Sequence, residues 1–110
     1  MNTGKIILIP FPFAELTGIK ARPAIVVSIT RDKYADLILC AVSSVVPEEL
    51  NAVEMLVAPS SFNKLRVPSV IKIDRLITLK KENVIADLGF LPPYQIDEFK
   101  LKFKQLVDPA

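Results

Sequence analysis

The apolar residues of this chain fall in runs too short to be buried helices. Residues 6–9, 24–29 and 37–42 are nearly continuous Ile, Leu, Val and Ala, and the runs stop at Pro10, Thr30 and Ser43. Apolar stretches of about four to eight residues, rich in β-branched side chains and bounded by turn formers, are strand signals. β-branched residues give up rotamer freedom in a helix and pack well on a pleated surface. The chain must therefore be mostly β.

The remaining segments extend that pattern. Residues 5–13 read as a first strand, bent or ended by Pro10 and Pro12, and residues 14–20 as a loop. The second strand spans 24–29 and the third 37–42, both apolar enough for burial on two faces. A polar turn covers 31–36, a loop or short helical turn 47–51, and a short strand 53–57. Residues 59–65 suit a single helical turn capped by Ser60 or Ser61. Strands at 69–74 and 76–80 follow, then a strand or extended connector at 84–88 closed off by Gly89. Pro92-Pro93 precedes the one clear helix, in which Ile96, Phe99, Phe103 and Leu106 recur at helical spacing. Short strands with one terminal amphipathic helix predict a small twisted sheet or barrel packed by that helix. With no linker and no repeat, residues 1–110 are expected to form one domain.

Composition removes several classes of chemistry. The chain has no histidine, which excludes a Ser-His-Asp triad, a histidine-based ribonuclease pair and a histidine-ligated zinc site. Its three glycines stand far apart, so no glycine-rich phosphate loop exists. The single cysteine, Cys40, lies inside an apolar run and reads as a small buried hydrophobe. The N-terminus lacks a signal-peptide pattern and no segment suits a bilayer span, so a cytoplasmic location is expected. Net charge is only +2, yet Lys64, Arg66, Lys72, Arg75, Lys80 and Lys81 crowd a span whose only acids are Asp74 and Glu82. That span is either a solvated face or a basic surface for an anionic partner.

Three features stand out as candidate chemistry. Arg22 precedes Pro23, which pushes it to extended geometry and holds it out beside the loop at 14–20, a placement suited to anion recognition. In Ser69-Val70-Ile71-Lys72-Ile73-Asp74, strand alternation sends Ile71 and Ile73 to the core and Lys72 with Asp74 to the accessible side. By itself that pair is a surface ion pair worth about 0–1 kcal/mol. Ser43 and Ser44 end the third strand, so their hydroxyls point opposite ways, and by themselves they are turn formers.

Taken in order, these blocks resemble the MazF/PemK family of toxins from type II toxin–antitoxin systems, including its Kid-like members. The matching stretches are Gly4-Lys5-Ile6, Arg22-Pro23-Ala24-Ile25-Val26-Val27-Ser28, Ala41-Val42-Ser43-Ser44, Ser69 to Asp74 with Leu79, Gly89-Phe90-Leu91 and the terminal helix. The likeness covers essentially the whole chain. It implies an SH3-like small β-barrel that forms a homodimer, binds a cognate antitoxin and cleaves single-stranded RNA without a metal or other cofactor. In that chemistry the ribose 2′-OH attacks the adjacent phosphate, leaving a 2′,3′-cyclic phosphate and a 5′-OH.

Carried over by position, Arg22 matches a phosphate or transition-state ligand and Ser43 a hydroxyl at the scissile phosphate. Asp74 matches a carboxylate base, and Lys72 stands where Kid-like members carry an arginine. Lys keeps that charge but loses the planar fork. Lys20, Thr17, Ser44 and Arg75 are the expected RNA-binding residues, with the antitoxin covering the loop at 14–22. Phe11 and Phe13, read as exposed, fit a dimer. Two departures accompany the match: the first loop is short and lacks a histidine, and Ile77 replaces an arginine. Outside catalysis, the same barrel is compatible with a CcdB-like toxin that binds gyrase. It is also compatible with a degenerate module that binds nucleic acid or protein without cleaving.

Overall fold

In a computed structural model the structure describes residues 2–11 and 20–108. Six strands form one antiparallel sheet: β1 (Lys5–Phe11), β2 (Lys20–Ile29), β3 (Leu37–Ser43), β4 (Glu54–Val57), β5 (Ser69–Leu79) and β6 (Ala86–Phe90). Their order across the sheet is β4-β5-β3-β2-β1-β6, and helix α1 (Pro93–Val107) closes the chain. Strand alternation divides the apolar side chains between two faces. On one face Ile6, Ile25, Val42, Ile71 and Ile73 form a cluster that Phe99 completes, with Ile96, Phe103 and Leu106 of α1 packed against it. The opposite face carries Ile7, Ile9, Ala24, Val26, Leu37 and Leu39. The central strands are thus buried on both sides, as their unbroken apolar runs require.

Bulges curl the sheet, because an unpaired residue bends its strand and increases local twist. They fall between Val26 and Ser28 on β2, between Ile6 and Ile7 where β1 meets β6, and in the β3–β5 ladder at Cys40 and Ala41. The last is the widest. Ala41 pairs with Lys72 and Cys40 with Leu76, so residues 73–75 stand opposite nothing on β3. For this reason the two strands expected at 69–74 and 76–80 are one strand. What reads in sequence as a polar break at Arg75 is a bulge inside a continuous ladder.

Other boundaries also move. β2 begins at Lys20 rather than Ala24, since Arg22 and Pro23 already pair with Ile9 and Leu8 of β1. The extended geometry imposed by Pro23 serves the strand itself. Gly89 lies within β6 and does not end it. There the Phe90 N–H donates to the Phe62 carbonyl at 3.1 Å, and any Cβ on Gly89 would collide with that same carbonyl oxygen. Gly4, at φ +92°, is needed for a similar reason, because a Cβ there would lie 2.7 Å from Ile96 Cγ1. Ser60 caps the turn at 59–65, its Oγ accepting the Phe62 and Asn63 N–H groups at 3.2 Å each. The expected loop at 14–20 lies outside the described residues except for Lys20, as do Pro12, Phe13 and Thr17. No helix among the described residues is long and apolar enough to cross a membrane.

Candidate active site and nucleic-acid interface

The ladder sets three of the sequence candidates on one face. Ala24 of β2 pairs with Ala41 of β3, Ala41 with Lys72 of β5, and Lys72 with Glu54 of β4. Paired residues share a face and alternate residues return to it. Arg22, two before Ala24, and Ser43, two after Ala41, therefore lie on the same face as Lys72. The β2–β3 ladder ends at Ala24–Ala41, immediately before Pro23, whose missing N–H donates nothing to a neighbour on that side. Arg22 is held instead from β1: its guanidinium carbon lies 5.8 Å from the centroid of the Phe11 ring. Phe11 is half-buried and in contact with Arg22, not the exposed apolar residue expected for a dimer surface. Ser43 Oγ accepts the Val45 N–H at 3.1 Å, which fixes the hydroxyl and leaves its proton for an outside acceptor.

Lys72 and Asp74 do not pair. Lys72 reaches across to β4, where its Nζ donates to Glu54 Oε2 at 3.1 Å. Glu54 Oε1 accepts the Asn51 N–H at 3.0 Å, and the residue is only 7% exposed. The Asn51 N–H, with Lys72 adding to it, holds this carboxyl below the usual range, so Glu54 is an anion that orients Lys72. Sequence reading missed Glu54. The available signal was an opposite-charge cross-strand pair, but that required knowing that β4 pairs with β5 in this register.

Asp74 and Arg75 lie exposed in the β5 bulge, where the ladder no longer dictates direction. Beneath them, Cys40 donates its S–H to the Ile73 carbonyl at 3.5 Å. Burial, reinforced by the Asp74 charge, pushes this thiol up to about 12, so Cys40 is inert packing.

Where β2 and β3 part, a cavity of about 640 Å³ opens. Lys20, Arg22, Lys64 and Arg66 supply its cations and Ser44 and Ser69 its hydroxyls, with no carboxylate among the described residues that line it. Its floor is apolar, from Leu8, Pro23, Val42, Leu65 and Leu88. Of the expected RNA-binding residues, Lys20 and Ser44 line this cavity, Arg75 does not, and Thr17 lies outside the described residues. Among the described residues no cluster of His, Cys, Asp and Glu is arranged to hold a metal ion.

A curled antiparallel sheet with one C-terminal helix, carrying an arginine, a hydroxyl and a lysine beside a basic cavity, suits a small protein that engages a polyanion. The family model described as a PemK-like, MazF-like toxin of type II toxin–antitoxin systems matches residues 2–107, and the chain belongs to that family. A search of curated proteins found no match. Among solved structures, the chain is similar to an endoribonuclease from a mycobacterial species, solved in complex with its cognate antitoxin. The two share a TM-score of 0.74 and 14% identity over 100% of this chain and 97% of that one. It is also similar to the Mycobacterium tuberculosis toxin MazF-mt6, at TM-score 0.65 and 19% identity over 93% of this chain and 96% of that one. At those identities the likeness is one of fold.

Proposed function

We propose that this toxin is an endoribonuclease that cleaves single-stranded RNA by internal transesterification. The observation that carries the reading is the common face of Arg22, Ser43 and Lys72 next to a basic cavity lined by Lys20 and Ser44. A base takes the proton of the ribose 2′-OH, and O2′ bonds to phosphorus. The bond from phosphorus to the 5′-oxygen then breaks as that oxygen takes a proton from solvent water, and it leaves as a 5′-OH. The products are a 2′,3′-cyclic phosphate and a 5′-hydroxyl.

Positive charge and hydrogen-bond donors aimed at the phosphorane supply most of the acceleration in such a site. Arg22 offers the fork that fits two phosphate oxygens, and Ser43 offers its free proton to one of them. Lys72, oriented by Glu54, adds a fixed charge. Asp74, exposed in the bulge, is the carboxylate available as base. These groups complete the chemistry without a metal, so cleavage is expected to survive EDTA. The structurally similar mycobacterial endoribonuclease, solved with its cognate antitoxin, supports a protein partner of that kind here, covering the segment at 14–22 and the adjoining groove. A homodimer and a cytoplasmic location complete the reading.

The test is purified protein with unstructured RNA, read by mapping fragment ends. Wild type should give 2′,3′-cyclic-phosphate termini, with strong losses for Arg22→Ala and Asp74→Ala. Absence of cyclic termini, or cleavage by both variants at the wild-type level, would sink the assignment.

A further inference from the structure

The cavity has a second pair of cations that the transesterification face does not use. Lys64 and Arg66 line it from the β4–β5 connection, alongside Lys20 and Arg22 of β2. Neither has a carboxylate partner among the described residues. We propose that residues 60–66 form a preorganised phosphate seat for a nucleotide flanking the cleaved one, with Asn63 as its positioning residue. This rests on the ribonuclease reading of the adjoining face.

The turn is built to hold those cations in place. Asn63 is 3% exposed, and all its side-chain groups are engaged. Its Oδ1 accepts the N–H groups of Ser60 and Leu65, both at 2.9 Å, and its Nδ2 donates to the Ala58 carbonyl at 2.8 Å. Next to it Lys64 adopts φ +54°, a left-handed conformation that L residues avoid, with its N–H donating to the Ser60 carbonyl at 3.0 Å. The turn is also tied to the sheet, through the Phe62 carbonyl that accepts the Phe90 N–H beside Gly89. A lysine kept in that backbone state by a buried asparagine has its side chain aimed by the fold.

The occupant follows from the lining. Four cations and an apolar lining, in about 640 Å³, suit a nucleotide whose base packs on side chains such as Pro23, Val42 and Leu65 while its phosphates meet the cations. Such a volume lies in the ordinary range for a small-molecule or cofactor site. An acidic peptide would satisfy the same cations. RNA is favoured because Arg22, on the face carrying Ser43 and Lys72, also lines the cavity and so joins the two.

The probe is a fluorescent single-stranded 2′-O-methyl RNA, which lacks the attacking hydroxyl, titrated by anisotropy at several salt concentrations. For a single strand, each phosphate that the protein neutralises contributes about 0.7 to the log–log salt slope. Lys64→Ala/Arg66→Ala should therefore lower the slope by about 1.4. Lys80→Ala/Lys81→Ala removes the same charge from exposed positions off the cavity and should leave the slope at the wild-type value. Asn63→Ala keeps both cations but frees the turn, and should lower the slope with the charge count unchanged. A wild-type slope in the Lys64/Arg66 variant overturns the seat, as does an equal fall in the Lys80/Lys81 control. Loss of polyglutamate binding with RNA binding intact overturns it in favour of an acidic partner. Wild type that binds through Lys64 and Arg66 yet never cleaves 2′-OH RNA keeps the seat and removes the ribonuclease reading. Wild type that cleaves with a slope indifferent to Lys64 and Arg66 does the reverse.

Discussion

The face of the sheet under α1 and the end of the sheet at Pro23 use the same strands under opposite constraints. Beneath α1 the packing is apolar: Phe99, which is 1% exposed, joins the cluster of Ile6, Ile25, Val42, Ile71 and Ile73. Burial alone holds that face, and it tolerates no vacancy, since protein interiors pack like organic crystals. At the Pro23 end the β2–β3 ladder has stopped, polar groups join apolar ones, and four cations line a cavity with no carboxylate among its described lining residues. Like charges held together add little to stability, and they are what a polyanion needs. The proposed ribonuclease site uses that difference, at the point where the sheet stops pairing.

The largest expected effect lies under the helix. Phe99→Ala removes the side chain that joins α1 to the sheet and should cost about 3–5 kcal/mol. Thermal unfolding followed by circular dichroism checks this, and a loss under about 1 kcal/mol would mean that α1 is not part of the folding core.

At the other region the effects should separate. Arg22→Ala is expected to lower RNA cleavage by about 10²–10³-fold, the loss typical of one preorganised charge-stabilising donor. Among the described residues Arg22 stacks on Phe11 and is half-buried, so the unfolding midpoint of the variant should stay near wild type. A variant as unstable as Phe99→Ala would erase the contrast and make Arg22 a structural residue.

Gly89→Ala tests the link between the two regions. The new methyl meets the Phe62 carbonyl oxygen, so either β6 or the turn at 60–66 must give way. Overpacking of this kind costs about 1–3 kcal/mol. Because that turn carries Lys64 and Arg66, RNA affinity should fall together with stability. Lower stability with wild-type affinity would show that the turn is positioned independently of β6.

The helix-packed region was the legible one. Periodicity placed Ile96, Phe99, Phe103 and Leu106 on one stripe, and alternation placed Ile71 and Ile73 inside, because both patterns follow from local geometry. Order and type of the motif blocks were enough for the family. The Pro23 end was harder to read, because its features arise from register. A bulge joining two apparent strands, the cross-strand choice of Glu54 over Asp74 by Lys72, and the approach of residues 60–66 to β6 all depend on which strand lies beside which. Lys64 and Arg66 were visible as a basic span, but only the fold brings them alongside Lys20 and Arg22.

The subtlest test concerns Glu54, the buried carboxylate that orients Lys72. Its carboxyl lies below the usual value of 4.5 in the folded state, first because the Asn51 N–H binds it and then because of Lys72. A depressed folded value means the anion stabilises the fold above the unfolded pKa. That contribution disappears as pH falls through the folded one. Urea unfolding should therefore weaken progressively below about pH 4.5. Glu54→Gln keeps the shape and should flatten this acid limb while lowering the midpoint at neutral pH. Some acid sensitivity will remain, since Asp32 is also held low, chiefly by the Thr30 hydroxyl. An unchanged acid limb in Glu54→Gln would show that the pair with Lys72 serves orientation and contributes nothing to the fold. In that case the loss would show in cleavage alone, and Glu54 would belong with Arg22 on the functional side of the molecule.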